Sequence, residues 1–235
     1  MNIENRLNWI INKLKQAGSE RDRIGKQKFG ISSNKSFGVR NPEIRRIAKT
    51  IKPKNNDLAQ KLWNTGYLEA RILSSMIADP KTIKRQIIEG WAQDLDNWAV
   101  CDHLCMDLLD KTTFYGDLIY EWADSEHTFK RRASFATIAS SAVHNKKLKN
   151  EEFEKYFDLI KNRSICEKER IVLKAIDWAG RQIGKRNIPL NKNMIELAEE
   201  MISINKGKSK LVGNIIYKEI TCDKIQTRIK KTKEL

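Results

Sequence analysis

The sequence has few residues that interrupt helices, since only 4 of its 235 residues are proline and 11 are glycine. It has no run of alternating β-branched residues bounded by turn signals, so strands are not expected. No apolar stretch approaches the roughly 20 residues that a membrane helix needs. The start, MNIENRLNWIINKL, lacks the pattern of a signal peptide and predicts an amphipathic helix. These absences predict a soluble, all-α protein without a membrane partner.

Cysteine is scarce as well, and Cys101, Cys105, Cys166 and Cys222 show no disulfide-framework spacing. We therefore expect a reduced, cytoplasmic protein. Cys101 and Cys105 lie four residues apart with His103 between them, but no second Cys/His pair follows at a structural-zinc distance. A glycine-rich phosphate loop is also missing. We expect no metal and no cofactor.

Positive charge is abundant, and the net charge of +15 is unevenly distributed. Residues 1–55 carry 14 basic and 4 acidic groups, whereas residues 56–128 carry 6 and 13. Residues 129–190 carry 15 and 7, and residues 191–235 carry 10 and 6. Basic flanks around an acidic middle favour a polyanion such as nucleic acid, with carboxylates between the flanks. A solvated basic surface is the alternative.

Helix-start signals recur along the chain. Asn41-Pro42-Glu43 predicts an N-cap followed by a proline at the first helical position, and Asp79-Pro80 predicts the same for a later helix. Ser164 and Glu167 have the spacing of a capping box. The segments between these signals have apolar spacing near 3.6 residues, which predicts helices.

Five apolar segments resemble one another and recur about every 30–40 residues, each after a more amphipathic segment. They are YLEARILSSMIA (67–78), NWAVCDHLCMDLL (97–109), FKRRASFATIAS (129–140), VLKAIDWAGRQI (172–183) and KLVGNIIYKEI (210–220). Paired helices at this period predict a single HEAT-like solenoid domain, an α-α superhelix with a basic concave face. Its parts are N-terminal helices at 1–35, repeats at 36–220 and a basic helix or tail at 221–235. A non-repeating helical bundle is the alternative.

The second helices of these pairs carry unusual residues. Trp98 and Asp102 are four residues apart and share one helix face, Arg132 lies on the next such helix, and Trp178 and Arg181 lie on the one after. In a solenoid these side chains would meet on adjacent ridges. A tryptophan at helical spacing is more often a core residue, however, and Asp102 could simply pair with Arg132.

Other carboxylates compete with Asp102 for a catalytic role, namely Asp94, Asp96, Asp107 and Asp110. Among these five carboxylates, only Asp102 comes four residues after a tryptophan and lies in register with the RRAS segment.

Four motifs in this order resemble the AlkD-type DNA alkylation-repair glycosylases, over about residues 25 to 220. They are GVRNPE-x-RR at 38–46, WAVCD at 98–102, KRRA at 130–133 and AIDWAGR at 175–181. The resemblance implies a curved HEAT-like array that holds duplex DNA in its basic cleft. Such enzymes excise positively charged N3- or N7-alkylated purines without a metal and without flipping the base.

The resemblance also implies roles for individual residues. Asp102 matches the catalytic carboxylate, Trp98 and Trp178 match two tryptophans that pack against the deoxyribose, and Arg132 matches an arginine of the same cleft. Phe29 falls near an aromatic residue close to the DNA backbone. The remaining cations on or near the inner helices would contact phosphates: Lys130, Arg131, Lys174, Arg181, Lys208 and Lys210.

These residue types suit the excision of a base that is already a good leaving group. A cationic alkylpurine leaves as a neutral base, so positive charge develops on the sugar, where a fixed carboxylate stabilises it. Indole faces add cation–π attraction. No lysine is placed as a plain Schiff-base nucleophile, so we expect a monomeric, monofunctional glycosylase.

Two alternatives remain open. The first is a non-catalytic HEAT-repeat protein that binds DNA or structured RNA, which would need only the basic residues. The second is a protein–protein scaffold, whose binding would hardly depend on salt. The basic run at 228–233 is interpreted as a solvated end of the chain.

Overall fold

The structure is a computed structural model that describes residues 2–31 and 34–231. Over those residues the chain forms α-helices and short 3-10 turns with no strand, which confirms the predicted all-α class. The chain divides into two compact units, Met1–Phe114 and Tyr115–Leu235.

The first unit has seven α-helices and two 3-10 turns within its described part. The α-helices are α1 (Ile3–Ala17), α2 (Glu20–Gly25), α3 (Asn41–Thr50), α4 (Asn56–Asn64), α5 (Leu68–Ile77), α6 (Arg85–Gln93) and α7 (Trp98–Asp107). The 3-10 turns are Lys26–Phe29 and Leu109–Lys111.

The second unit has eight α-helices within its described part. They are α8 (Tyr115–Ala123), α9 (Thr128–His144), α10 (Glu151–Glu154), α11 (Phe157–Cys166), α12 (Arg170–Gly184), α13 (Ile188–Ser203), α14 (Ser209–Ile220) and α15 (Asp223–Lys231). The five apolar segments of the sequence thus form α5, α7 with the turn that follows it, α9, α12 and α14. None of the helices that the structure describes is long and apolar enough to span a membrane.

Asparagine is the N-cap residue of four helices. The side-chain oxygens of Asn2, Asn55, Asn97 and Asn187 accept a backbone N–H three residues later at 2.7–3.0 Å. Each bond satisfies one of the amide groups that a helix leaves unpaired at its start. The position of α7, and therefore of the residues that it carries, is fixed in this way by Asn97.

The predicted N-caps at the two Asn/Asp-Pro pairs differ from the structure. Asn41 is the first residue of α3 and Arg40 precedes it as the N-cap, with the proline still in the first turn. Asp79 begins a turn instead of a helix, because its carboxylate accepts from the Lys81 N–H at 3.1 Å and the Thr82 hydroxyl at 3.1 Å. The helix that was predicted there begins only at Arg85.

The predicted capping box at Ser164 and Glu167 is also wrong, since these residues lie at the end of α11 and not at the start of a helix. The Ser164 hydroxyl donates to the Lys161 carbonyl at 2.6 Å. The Glu167 carboxylate accepts the N–H groups of Lys168 (3.0 Å) and Glu169 (2.9 Å). It therefore stabilises the connection between α11 and α12.

The core of the first unit contains two stacked tryptophans, Trp63 of α4 and Trp91 of α6, whose ring centroids lie 4.4 Å apart with planes 2° apart. Their indole N–H groups donate to Asp94 and Gln60, both at 2.9 Å. A buried tryptophan needs such a partner for its single donor. The stack therefore holds α4 against α6.

A buried carboxylate anchors the loop before α3. Glu69 of α5 has no exposed side-chain surface and forms an ion pair with Lys26. It also accepts hydrogen bonds from the Ser36 hydroxyl (2.7 Å) and from the N–H groups of Phe37 (2.9 Å), Gly38 (2.9 Å) and Val39 (3.2 Å). Gly38 has φ +76°, and a Cβ there would lie 2.1 Å from the Ser19 carbonyl oxygen, so the loop requires glycine. We call Ser36–Val39 with Glu69 and Lys26 the Glu69 anchor.

The core of the second unit lies between α9, α12, α13 and α14. Apolar side chains of these helices pack together with the short α10, whose Phe153 is fully buried. α9 and α12 pack on each other along most of their lengths. Residues on the remaining faces of α9 and α12, including those predicted to act on DNA, are held in position by this core.

Candidate functional site

Trp98 and Asp102 lie on α7, where both side chains are partly exposed. The opposite side of the helix is buried, with Val100, Cys101 and Leu104 in the core. Because the two residues are four apart on a regular helix, they share one face. The structure therefore places both side chains at the surface of the first unit, where a bound molecule can reach them.

Three of the four competing carboxylates are less suited to contact a substrate. The side chain of Asp110 is fully buried and that of Asp107 is only 12% exposed. Asp94 accepts the Trp63 indole N–H, so it supports the core. Asp96 is highly exposed and lies in the loop before α7, within 4.0 Å of Arg71.

His103 and Asp107 form a structural pair on the same helix. The Nδ1 atom of His103 lies 2.7 Å from the Asp107 carboxylate, which also accepts from Arg45 at 3.0 Å. Burial raises the pKa of Asp107, but the hydrogen bond from His103 and the charge of Arg45 outweigh it and lower the pKa overall. Cys101 and Cys105 are buried beside this pair. The described part of the chain contains no cluster of three His, Cys, Asp or Glu side chains suited to a metal ion.

The six tryptophans fall into two groups. Trp63, Trp91 and Trp122 are buried in the cores. Trp9 is 40% exposed, and Trp98 and Trp178 are partly exposed. Three tryptophans are therefore core residues, and Trp178 also packs against the core of the second unit, although both Trp98 and Trp178 reach the surface.

The arginines of α9 are engaged within the second unit. Arg132 is 7% exposed, and its Nη1 donates to the Ile171 carbonyl at the start of α12 at 2.6 Å. Arg131 forms an ion pair with Glu167 at 2.8 Å and also donates to the carbonyls of Ser125 and Glu126. Both side chains thus tie α9 to neighbouring segments.

Trp178 and Arg181 lie on α12 next to a network of charges. With the Gln182 amide oriented so that its oxygen faces α12 donors, the Trp178 indole N–H donates to that oxygen at 3.1 Å. Arg181 forms ion pairs with Asp177 (2.6 Å) and Glu219 (2.8 Å). Burial raises the pKa of Asp177 in spite of Arg181, while hydrogen bonds from Lys185 and Arg181 outweigh burial and lower the pKa of Glu219. Arg181 is therefore partly neutralised by carboxylates.

The predicted lysine contacts differ from the arginines in exposure. Lys174, Lys208 and Lys210 are exposed and Lys130 is partly exposed. They lie on α9, α12, and at the start of α14. Phe29 ends a 3-10 turn, and its side chain lies outside the part of the structure that is described.

Sequence reasoning missed the carboxylates that hold the arginines. Asp177 and Arg181 are four residues apart on one helix, so this pair could have been found from its spacing. Glu167 and Glu219 are 36 and 38 residues from the arginines that they bind, and no local pattern indicates such pairs. Sequence reasoning also missed the exposure of Trp9, because the amphipathic pattern of α1 does not show how much of the indole is covered.

Comparison with solved structures identifies the type of fold. One similar solved structure is described as "a new family of proteins related to the HEAT-like repeat DNA glycosylases with affinity for branched DNA structures". It is 20% identical and superposes with a TM-score of 0.78 over 95% of both chains, which shows that the fold is of the HEAT-like repeat type. A designed armadillo repeat protein in complex with the peptide (KR)4 is 13% identical, with a TM-score of 0.37 over 82% of this chain and 80% of that one.

The sequence itself gives the family. No curated protein matches it significantly. The family model for the DNA alkylation repair enzymes, however, matches residues 10–206, most of the chain. The match includes α7, α9 and α12, and it confirms the resemblance drawn from the motifs. The chain belongs to the DNA alkylation repair enzyme family, and its role is in DNA repair.

Proposed function

We propose that this protein is a monofunctional DNA glycosylase that excises N3- and N7-alkylated purines from duplex DNA, with Asp102 as the essential carboxylate. The observation that carries the proposal is the pair of partly exposed side chains, Trp98 and Asp102, on one face of α7. Membership in the DNA alkylation repair enzyme family supports damaged DNA as the substrate that this pair contacts.

The chemistry requires electrostatic stabilisation and little else. The cationic base leaves as a neutral purine, so no general acid has to protonate it. Asp102 stabilises the oxocarbenium-like sugar and orients the attacking water. The indole of Trp98 adds cation–π attraction of about 0.5–2 kcal/mol. The base is not flipped into a pocket, and undamaged purines, which are poor leaving groups, resist excision.

The proposal extends to residues of the second unit. Trp178 is proposed as an indole that packs against the deoxyribose, and Arg132, which donates to the Ile171 carbonyl, as a residue that holds α12 in position for that contact. Lys130, Lys174, Lys208 and Lys210 then supply most phosphate contacts, because Arg131 and Arg181 already have carboxylate partners. Phosphate contacts set affinity without reading sequence, so we expect little sequence preference. The acting form is proposed to be a monomer.

The direct test is release of free base from duplex DNA that contains N7-methylguanine. Asp102→Asn keeps the size of the side chain and removes its charge, so we expect release to slow by about 10²–10³ while DNA binding is retained. The matched control is Asp96→Asn, which removes a carboxylate from the loop before the same helix and should leave release unchanged. If the unaltered protein binds this DNA and releases no base, the proposal is wrong.

A second candidate function is binding of branched DNA without excision. The observation that favours it is the likeness to a structure described as having affinity for branched DNA structures. It predicts tighter binding of a four-way junction than of a duplex of equal length, and no release of base. Measuring both affinities beside the release assay separates the two functions.

A further inference from the structure

The proposed function does not use the surface pocket between α1 and the end of α3. This pocket has a volume of about 380 Å³ and is lined by six residues. They are Arg6, Trp9, Ile10, Thr50, Ile51 and Lys52. Buried Ile10 and Ile51 form its apolar part, and Trp9 keeps 40% of its surface exposed beside them. None of these residues belongs to the proposed catalytic face of α7.

The pocket combines an indole face with positive charge. Arg6, Trp9 and Lys13 are spaced by three and four residues, so α1 presents them on one face. The Lys13 ammonium lies 5.8 Å from the centroid of the Trp9 ring. Lys52 brings a further cation from the loop after α3. Over residues 2–31 and 34–231, no carboxylate forms an ion pair with Arg6 or Lys52.

This combination points to one class of ligand. A partly exposed aromatic side chain flanked by cations can bind an unpaired nucleotide, since the base stacks on the ring and the phosphates meet the cations. The volume falls in the range of about 300–1,000 Å³ that is usual for small-ligand sites. An acidic peptide would also meet the cations, but it has no planar group for the indole. A DNA repair protein meets unpaired nucleotides wherever a duplex is frayed, gapped or branched.

We infer that the pocket around Trp9 binds an unpaired nucleotide of single-stranded DNA, separately from the excision of bases. The inference rests on DNA as the partner and not on glycosylase activity. Asp102→Asn should therefore slow excision by about 10²–10³ and leave this binding intact. Changes in the pocket should leave release of N7-methylguanine from a blunt duplex unchanged.

The experiment compares a forked duplex that carries a single-stranded oligo(dT) arm with a blunt duplex of the same paired sequence. We expect the unaltered protein to bind the fork more tightly. Trp9→Ala should weaken fork binding by about 5- to 150-fold, the range for one base–aromatic stack, and hardly change blunt-duplex binding. Trp9→Phe keeps a ring and should restore part of the preference. Tyr120→Ala removes another exposed aromatic side chain, from the second unit, and serves as the matched control.

The cations are tested through salt. Arg6→Gln and Lys52→Gln should each lower the slope of log K against log salt by about 0.7 for the single-stranded arm. Lys192→Gln, which removes an exposed lysine from the second unit, should not. These two variants also test the pocket if Trp9→Ala lowers the thermal midpoint.

Three results would overturn the inference. The first is equal affinity of the unaltered protein for the fork and the blunt duplex. The second is an equal loss of affinity for both DNAs on Trp9→Ala. The third is that a poly-glutamate peptide displaces the oligo(dT) arm as effectively as free oligo(dT) does.

Discussion

Glu69→Ala is a substitution for which the structure predicts a large loss of stability in the first unit. The Glu69 anchor joins α5 to the loop before α3 through one carboxylate with no exposed surface. That carboxylate accepts hydrogen bonds from three backbone N–H groups and one hydroxyl, and it forms an ion pair with the Lys26 ammonium. Alanine removes the acceptor for all of them and leaves their donors in place.

The size of the loss follows from what is left unpaired. Removing one partner of a buried ion pair costs about 3–5 kcal/mol, because the remaining charge loses its compensation. Lys26 is 20% exposed and can turn towards water, which reduces this cost. The backbone donors cannot all do so, and each buried donor without a partner costs about 1–3 kcal/mol. These costs overlap, so we expect a loss of about 4 kcal/mol for Glu69→Ala and about 2–3 kcal/mol for Glu69→Gln, which keeps one acceptor oxygen.

The anchor should also respond to pH. Burial raises the pKa of Glu69, but Lys26 and the bonds from Phe37 and Ser36 outweigh it and place the pKa below the ordinary value. A carboxylate with a lowered pKa in the folded state stabilises the protein above its unfolded pKa. It loses that contribution as the pH falls through the folded pKa. The difference between the unaltered protein and Glu69→Gln should therefore be full at neutral pH and shrink below about pH 4.

The assay is urea unfolding followed by circular dichroism, together with hydrogen exchange at the amides of Phe37, Gly38 and Val39. In Glu69→Ala these three amides should lose protection first. The control is Glu89→Ala, which removes a half-exposed partner of Arg85 and should cost less than about 1 kcal/mol. A loss below about 1 kcal/mol for Glu69→Ala, with unchanged amide protection, would refute the reasoning.

Three further predictions concern an ion pair of the second unit, two glycines and the tryptophan of α7. Arg131→Ala should destabilise the protein by about 3 kcal/mol, because it breaks a buried ion pair. Lys130→Ala should leave the thermal midpoint unchanged and lower the salt slope of duplex binding by about 0.9. Equal losses of stability for the two variants would contradict this prediction. Gly207→Ala should prevent normal folding, since φ is +60° and a Cβ would lie 1.8 Å from a carbonyl oxygen of α11. Gly90→Ala, by contrast, adds a Cβ that meets nothing within 4 Å. Chemical denaturation should show that it raises the unfolding free energy by about 0.5–1 kcal/mol. Trp98→Ala should slow base release by about 2- to 30-fold at saturating enzyme, and an unchanged single-turnover rate would remove the indole from the proposed mechanism.

Much of the fold could be predicted from the sequence, because apolar periodicity is a local property. All five apolar segments form helices, and the low content of proline and glycine left them uninterrupted. The N-caps were less predictable, since the same residue types also form turns. Asp79 illustrates this, because its carboxylate finds donors two and three residues later and holds a turn where a helix was expected.

The candidate site divides in the same way. The spacing of Trp98 and Asp102 indicates their common face on α7 without knowledge of the fold. The partners of the arginines depend on how helices pack, so Glu167 opposite Arg131 could not be found from the sequence. Charge counts alone do not distinguish arginines that are available to DNA from those that packing commits to carboxylates or carbonyls of the protein.

The stacked pair of Trp63 and Trp91 gives the first unit an optical signature of its own. Two indoles 4.4 Å apart and nearly parallel couple electronically, and the coupling disappears when α4 separates from α6. The second unit has two tryptophans, Trp122 and Trp178, and both lie far along the sequence from this pair. The exciton component of the circular dichroism, which the coupled indoles produce, therefore reports on the first unit, and total helicity reports on both. Comparing the two signals during denaturation distinguishes one cooperative transition from two separate ones.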